Sequence, residues 1–166
     1  IRQEAIDNLR RLRNHSCIAL WCGNNECNEA WYTWGWRDRY FKKTEVGGKV
    51  WEQYTRLYNK ILPEVVSKFS PGTFYWPSSP FSRHGAPSKE NIGDRHFWDV
   101  WGGEKSIDTY LTARSRFFSE YGFQSFPDIE TIKRYAPNKS DWNIYSEVMM
   151  SHQRAGINAN KKIETY

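Results

Sequence analysis

The chain has little of several things, and each scarcity removes a class of function. No stretch approaches the ~18 consecutive apolar residues of a spanning helix, so nothing reads as a membrane segment. Blocks of one charge sign are missing too. The longest basic run is Arg10-Arg11 with Arg13, and elsewhere Lys and Arg alternate with Asp and Glu. The net charge of +5 therefore reads as a mixed, solvated surface and not as a nucleic-acid track. Only three cysteines are present, Cys17, Cys22 and Cys27, five residues apart. Zinc sites pair closer ligands with histidine, so these are expected to be buried thiols on and after a strand. No His/Glu pattern suggests a metal, and no cofactor is implied. An initiator Met, a signal-like stretch and a capped first helix are also missing, so the chain reads as an excerpt of a larger multidomain protein. Compartment and oligomeric state stay open.

What the chain has in excess is aromatic. Trp, Tyr and Phe make up 17% of it, while the mean hydropathy is −0.83. Flat rings carrying polar tips suit sugars, whose apolar C–H faces are ringed by hydroxyls. A Trp-rich core gives the same composition, so composition alone leaves both readings open.

Periodicity alternates helix and strand. Residues 1–13 read as a helix with Ile1, Ala5, Leu9 and Leu12 on one stripe. Cys17–Cys22 reads as a strand buried on both faces. Residues 45–69 read as helical, with Pro63 kinking or breaking the helix. Phe74–Trp76 is a short strand, residues 82–95 a loop, and His96–Trp101 a strand closed by Gly102-Gly103. Arg116–Glu120 reads as strand, a helix starts at Asp128, and residues 141–152 look helical with Trp142, Tyr145, Val148 and Met149 on one face. Short strands separated by helices or long loops imply a parallel α/β sheet, open or closed. A closed barrel needs eight strands and only four are seen, so if the sheet is a barrel roughly half of it is missing.

In such sheets chemistry gathers at the carboxyl ends of the strands. Glu26 follows the first strand behind Gly23-Asn24-Asn25, and Glu120 closes Phe117-Phe118-Ser119. Two carboxylates at strand ends are what glycoside hydrolysis requires, one to protonate the leaving oxygen and one to attack or to direct water. Position alone fits loop or cap residues as well.

Four ordered blocks add a resemblance. Asn14-His15-Ser16-Cys17-Ile18-Ala19-Leu20-Trp21-Cys22-Gly23-Asn24-Asn25-Glu26 resembles the fourth-strand segment of glycoside hydrolase family 2, in its β-mannosidase branch. Gly93-Asp94-Arg95-His96-Phe97-Trp98-Asp99-Val100-Trp101 is similar to the sixth-strand block, and Ser119-Glu120-Tyr121-Gly122-Phe123-Gln124-Ser125-Phe126-Pro127 to the nucleophile segment at the seventh. Ser146-Glu147-Val148-Met149 with His152-Gln153-Arg154 resembles the following helix. The blocks cover nearly the whole chain, and two strands fall between Glu26 and Glu120, the count expected for strands four and seven.

The resemblance implies a partial (β/α)8 barrel with about half of it present, all 166 residues forming part of one catalytic domain, and a retaining glycosidase with a carbohydrate substrate, most directly a β-mannoside. In it Glu26 is the acid/base, Glu120 the nucleophile, and Asn25 a donor to the sugar 2-hydroxyl. Trp34, in the loop Ala30–Trp36, is expected to be a sugar platform, with Trp76 and Trp101 as further candidates and core packing as the alternative for each. His96 and Asp99 are expected to hold their strand by buried hydrogen bonds, with substrate binding as the alternative. One departure stands out. The donor that many relatives place just past the sixth strand to bond the nucleophile is not visible at Trp101-Gly102-Gly103, which leaves Tyr110 or Tyr121 for that role, or a nucleophile oriented differently. A β-galactosidase, a β-glucuronidase or an inactive sugar-binding scaffold would fit the same blocks.

Overall fold

The computed structural model describes residues 1–41 and 46–166. The chain divides into two compact units, Ile1–His96 with Arg114–Ser119, and Phe97–Ala113 with Glu120–Tyr166.

In the first unit, helix α1 spans Arg2–Leu12, with Glu4 in its first turn and Arg10 and Arg11 in its last. Each charge sits at the end of the helix dipole that favours it. Leu9 is buried against Val65 and Val66 of the helix Leu62–Phe69, and Ala5, Ile6, Ile61 and Phe69 close the layer around them. Ile1, the first residue of the expected stripe, stays exposed.

Strand β1 is Leu20–Cys22, shorter than the run from Cys17 suggested. The N–H groups of His15 and Ile18 are spent on turns, bonding the carbonyls of Leu12 and His15, before the ladder begins. β1 pairs in parallel with β2, Phe74–Trp76, in the register Leu20 to Phe74, Trp21 to Tyr75 and Cys22 to Trp76. Side chains alternate across a strand, so Trp21 and Tyr75 turn towards the helices. There the Trp21 indole donates to Ser70 Oγ at 3.0 Å and the Tyr75 hydroxyl to the Tyr58 carbonyl at 2.8 Å. Leu20, Cys22, Phe74 and Trp76 line the opposite face, an open apolar cleft of about 290 Å³. The strand is therefore not buried on both faces. The cysteines are not buried thiols either: Cys17 and Cys22 are exposed and Cys27 is half-buried, and all three are free.

Between β1 and β2 the chain is helical. α2 is Cys27–Thr33 and α3 is Trp36–Phe41, so the expected loop Ala30–Trp36 is two helices hinged at Gly35, whose φ of 73° permits the reversal. α4, Val46–Arg56, is tied to α2 by rings: Trp31 stacks on Trp51 at 4.9 Å, and Trp51 on Tyr54 at 4.9 Å. A π-helical turn, Leu57–Ile61, then leads into α5, Leu62–Phe69. Pro63 thus sits in the first turn of α5, just after the π turn that divides the run into two α-helices, the break expected of it. It has no N–H to donate and its ring crowds the preceding turn, and the wider π turn absorbs both. Residue 45, the expected helix start, lies outside the described residues.

Residues 82–94 are irregular, as their Gly/Pro punctuation implied, while Arg95, the last residue of the expected loop, opens a strand. β3, Arg95–Phe97, and β4, Phe118–Tyr121, make a second two-stranded sheet, with the Arg95 N–H donating to the Phe117 carbonyl at 2.9 Å. The architecture is mixed α/β, an incomplete barrel of two small sheets with helices.

In the second unit β3 ends at Phe97, and the expected strand to Trp101 is a turn. Gly102 and Gly103 both donate to the Trp98 carbonyl at 2.8 Å, and Glu104 to Val100. A Cβ on Gly103 would sit 2.6 Å from the Asp99 carbonyl, so only glycine lets the chain fold back there. Asp99 consequently holds this turn and not a strand, pairing with Lys105 Nζ at 2.8 Å. After α6, Thr109–Thr112, comes α7, Ile129–Tyr135, capped by Asp128 as its sequence suggested. Residues 141–152 are not one helix. A 3-10 turn, Lys139–Asp141, is followed by the short α8, Glu147–Ser151, started by a Ser146 cap that accepts from the Met149 N–H. α9, Ile157–Thr165, follows Gly156 and was not anticipated. Phe97, Val100, Ala136, Met149 and Ala159 are the buried apolar residues of this unit, and Asn160 is buried with them.

Candidate active site

Gly23 ends β1. Its N–H donates to the Trp76 carbonyl at 2.8 Å, and a Cβ there would lie 2.4 Å from the Pro77 carbonyl, so glycine is what lets the two strand ends converge. Asn24 staples the convergence. Its Oδ1 accepts from Ser78 Oγ at 2.8 Å and from the Cys27 N–H at 3.1 Å, and its Nδ2 donates to the Pro77 carbonyl at 2.9 Å. Asn25 is exposed and bridges Ser79 along the backbone.

Glu26 then adopts the left-handed conformation, φ 60°, as the residue that opens α2. A non-glycine residue held there costs about 1–3 kcal/mol, which the surroundings must overcome. They do so through the Glu26 N–H, which donates to the Ser79 carbonyl at 2.7 Å, and its carbonyl, which accepts from Ala30 at 2.8 Å. The strained backbone points the carboxyl group at His96. Glu26 Oε1 lies 2.8 Å from Nδ1 of His96, whose side chain is 4% exposed.

Behind His96 stands a half-buried polar cluster around the buried Asp94. His96 Nε2 is 2.9 Å from Ser79 Oγ, and Ser79 and Ser119 both donate to Asp94 Oδ2 at 2.5 Å. Asp94 Oδ1 accepts from the Trp76 indole and from the Phe81 N–H, both at 2.8 Å. Burial pushes the Asp94 carboxyl up, but these four hydrogen bonds together outweigh it and hold it below the usual carboxylate range. His96 thus holds its strand by buried hydrogen bonds, as expected, and touches the candidate acid as well.

In the second unit Glu120 lies on β4, and the Trp98 indole N–H donates to its Oε2 at 3.2 Å. Trp98 lies one residue past the end of β3. Tyr110 spends its hydroxyl on the Gly122 carbonyl at 3.1 Å, and Tyr121 is exposed.

The three candidate platforms are placed differently. Trp76, half-buried, lines the apolar cleft beside Asp94 and packs edge-on against Phe81. Trp34 is 54% exposed at the α2–α3 turn, and the seven residues of α2, about 10 Å of helix, separate it from Glu26. Trp101 sits in the turn after β3, packed on Phe123 at 5.4 Å, with Lys162 Nζ over its ring and on its carbonyl.

No protein-family model matches the chain. Curated relatives do. β-Mannosidase B of Aspergillus fumigatus is 36% identical over 174 residues, and β-mannosidase B of Emericella nidulans 34% over 168. Each match covers 100% of this chain and 20% of the relative, so the chain spans about a fifth of the length of the proteins it matches. A solved β-D-mannosidase of Dictyoglomus thermophilum superposes with a TM-score of 0.69 at 32% identity, over 98% of this chain and 18% of that one. The chain is homologous to a β-mannosidase segment. A partial barrel is what such a segment leaves.

Sequence reasoning missed Ser79, Ser119 and the role of Asp94. Serines carry no pattern of their own, and Asp94 was visible only as part of a block. Trp98 was missed because the strand was read four residues too long, which placed the donor position at Trp101 and beyond.

Proposed function

We propose that the full-length protein carrying this chain is a retaining glycoside hydrolase acting on terminal β-mannosides, with both units belonging to one catalytic domain and β1, β2, β3 and β4 serving as barrel strands four to seven. The observation that carries the reading is Glu26, held at positive φ behind a strand end with its carboxyl group on a buried histidine, in a chain homologous to β-mannosidases. Strain at a carboxylate is retained where geometry matters.

Glu120 attacks the anomeric carbon while Glu26 protonates the departing glycosidic oxygen. Water, deprotonated by Glu26, then releases the sugar from Glu120. The Trp98 indole keeps the Glu120 carboxylate oriented. Retention calls for carboxyl groups about 5–5.5 Å apart. Asn25 serves the 2-hydroxyl, and Trp34, Trp76 and Trp101 are the rings to test as sugar platforms. The 166-residue chain by itself is expected to hydrolyse nothing measurable.

The test is turnover of p-nitrophenyl β-mannoside, β-galactoside and β-glucuronide by the full-length protein and its Glu26→Gln and Glu120→Gln variants. β-Mannoside turnover that falls about a thousandfold in each variant supports the reading. Turnover of a different sugar keeps the mechanism and changes the substrate. No turnover of any moves a sugar-binding scaffold to first place.

A further inference from the structure

The hydrogen bonds behind Glu26 constrain where the protons of the cluster sit. Asp94 receives four donors, two on each oxygen, which only an ionised carboxylate can accept. A serine hydroxyl has one proton. At 2.5 Å to a carboxylate oxygen, Ser79 and Ser119 both spend theirs on Asp94 Oδ2. Ser79 Oγ therefore has only lone pairs left for His96 Nε2 at 2.9 Å, and that nitrogen must carry the hydrogen. The other ring nitrogen, Nδ1, faces Glu26 Oε1 at 2.8 Å, where two bare lone pairs would repel, so one proton lies between them.

We propose that Asp94, Ser79 and His96 form a positioning relay for the acid/base carboxyl group: Asp94 orders the Ser79 hydroxyl, Ser79 fixes the Nε2–H tautomer of His96, and Nδ1 shares a proton with Glu26 Oε1. The relay rests on the acid/base reading of Glu26 given above. It engages one oxygen of Glu26, so that Oε2 is the one presented to the glycosidic oxygen; in the acid step the shared proton stays on Nδ1 and a second proton, on Oε2, is the one transferred. His96 is a positioning residue, acting through Glu26 and not on the sugar. The arrangement explains why a buried histidine is fixed at both nitrogens while Asp94 is 5% exposed beneath it. An isolated buried carboxylate would be costly; with four donors it serves as a fixed anchor.

Two measurements on the full-length protein test the relay. Heteronuclear NMR of the His96 ring nitrogens should show hydrogen on Nε2 in the native protein and a changed Nε2 signal in Asp94→Asn, where the Ser79 proton is released. A bare Nε2 in the native protein overturns the relay. The second is leaving-group dependence. His96→Leu should lose roughly ten- to a hundredfold in kcat/KM on phenyl or alkyl β-mannosides, a share of the general-acid contribution. With a dinitrophenyl leaving group, which departs without a proton, the loss should stay below about threefold. Ser79→Ala, which keeps the imidazole, should show the same selectivity and guards against a folding defect in the leucine variant. Equal losses across leaving groups in both variants overturn the relay. If no glycoside is turned over, the acid/base reading falls, and the ring spectrum still decides the tautomer.

Discussion

Asp94→Asn should weaken the first unit by an amount that depends on pH in a specified way. In the native structure two hydroxyls and two N–H groups end on this buried carboxylate at 2.5–2.8 Å. A hydrogen bond to a charged group contributes about 1.5–3 kcal/mol. The replacement amide keeps an oxygen for Trp76 and Phe81, but turns an NH2 towards Ser79 and Ser119, whose protons lose their acceptor. Two charge-assisted bonds are lost, and the relief of a buried charge offsets part of that. The net cost is about 2–4 kcal/mol near neutral pH. Because the folded carboxyl lies below its ordinary value, its contribution is fully present above the unfolded value, about 3.9. It is lost as pH falls through the folded value beneath that. The amide does not titrate, so the gap between native and variant should hold at neutral pH and narrow below about pH 4. Urea unfolding followed by tryptophan fluorescence at a series of pH values measures it. A gap under about 0.5 kcal/mol at neutral pH, or one that does not narrow in acid, would refute the account of Asp94 as an ionised anchor.

Three further outcomes are expected. Gly23→Ala forces a methyl to 2.4 Å from the Pro77 carbonyl and 2.6 Å from the Tyr75 hydroxyl, and should cost about 1–3 kcal/mol by urea unfolding; a neutral result would mean the strand ends separate easily. Tyr75→Phe deletes the bond to the Tyr58 carbonyl and should cost about 1 kcal/mol, read the same way. Trp98→Phe keeps the ring but removes the donor to Glu120; in the full-length protein it should lower kcat roughly ten- to a hundredfold with unfolding unchanged, and an unchanged kcat would remove the indole from the nucleophile's support.

The sequence revealed elements whose signal is local. α1 was readable from its stripe, β2 from three aromatics between Pro-Gly and Pro, and the start of α7 from Asp128. Glu26 and Glu120 stood out because strand ends filter carboxylates, and the ordered blocks gave them roles. What was misread depends on partners distant in the chain. The turn from Trp98 to Glu104 is the local exception: it alternates like a strand, and only its i to i+4 and i to i+5 hydrogen bonds betray it. The aromatic stretch from Trp31 to Trp36 looks like a loop until Trp51 stacks on Trp31 and makes it helical packing. The His96 relay was beyond reach, since Ser79, Asp94 and Ser119 meet across 40 residues of chain with no shared motif.

The two faces of the first sheet bear directly on where catalysis belongs. Trp21 and Tyr75 are anchored to helices, while Leu20 and Phe74, at 41% and 59% exposure, look into the cleft with Phe117. Fully burying such a side chain is worth about 1.5–3 kcal/mol, so this face has much to gain from a cover. Asp94, Ser79 and Ser119 line the same cleft. Water entering an uncovered cleft competes for the hydroxyl protons that order His96, and the carboxyl group of Glu26 loses its fixed direction. Covering the cleft with further barrel strands would dry the cluster and strengthen each of its bonds. On the proposed reading, excluding water from this cleft should tighten Glu26 before any sugar is bound.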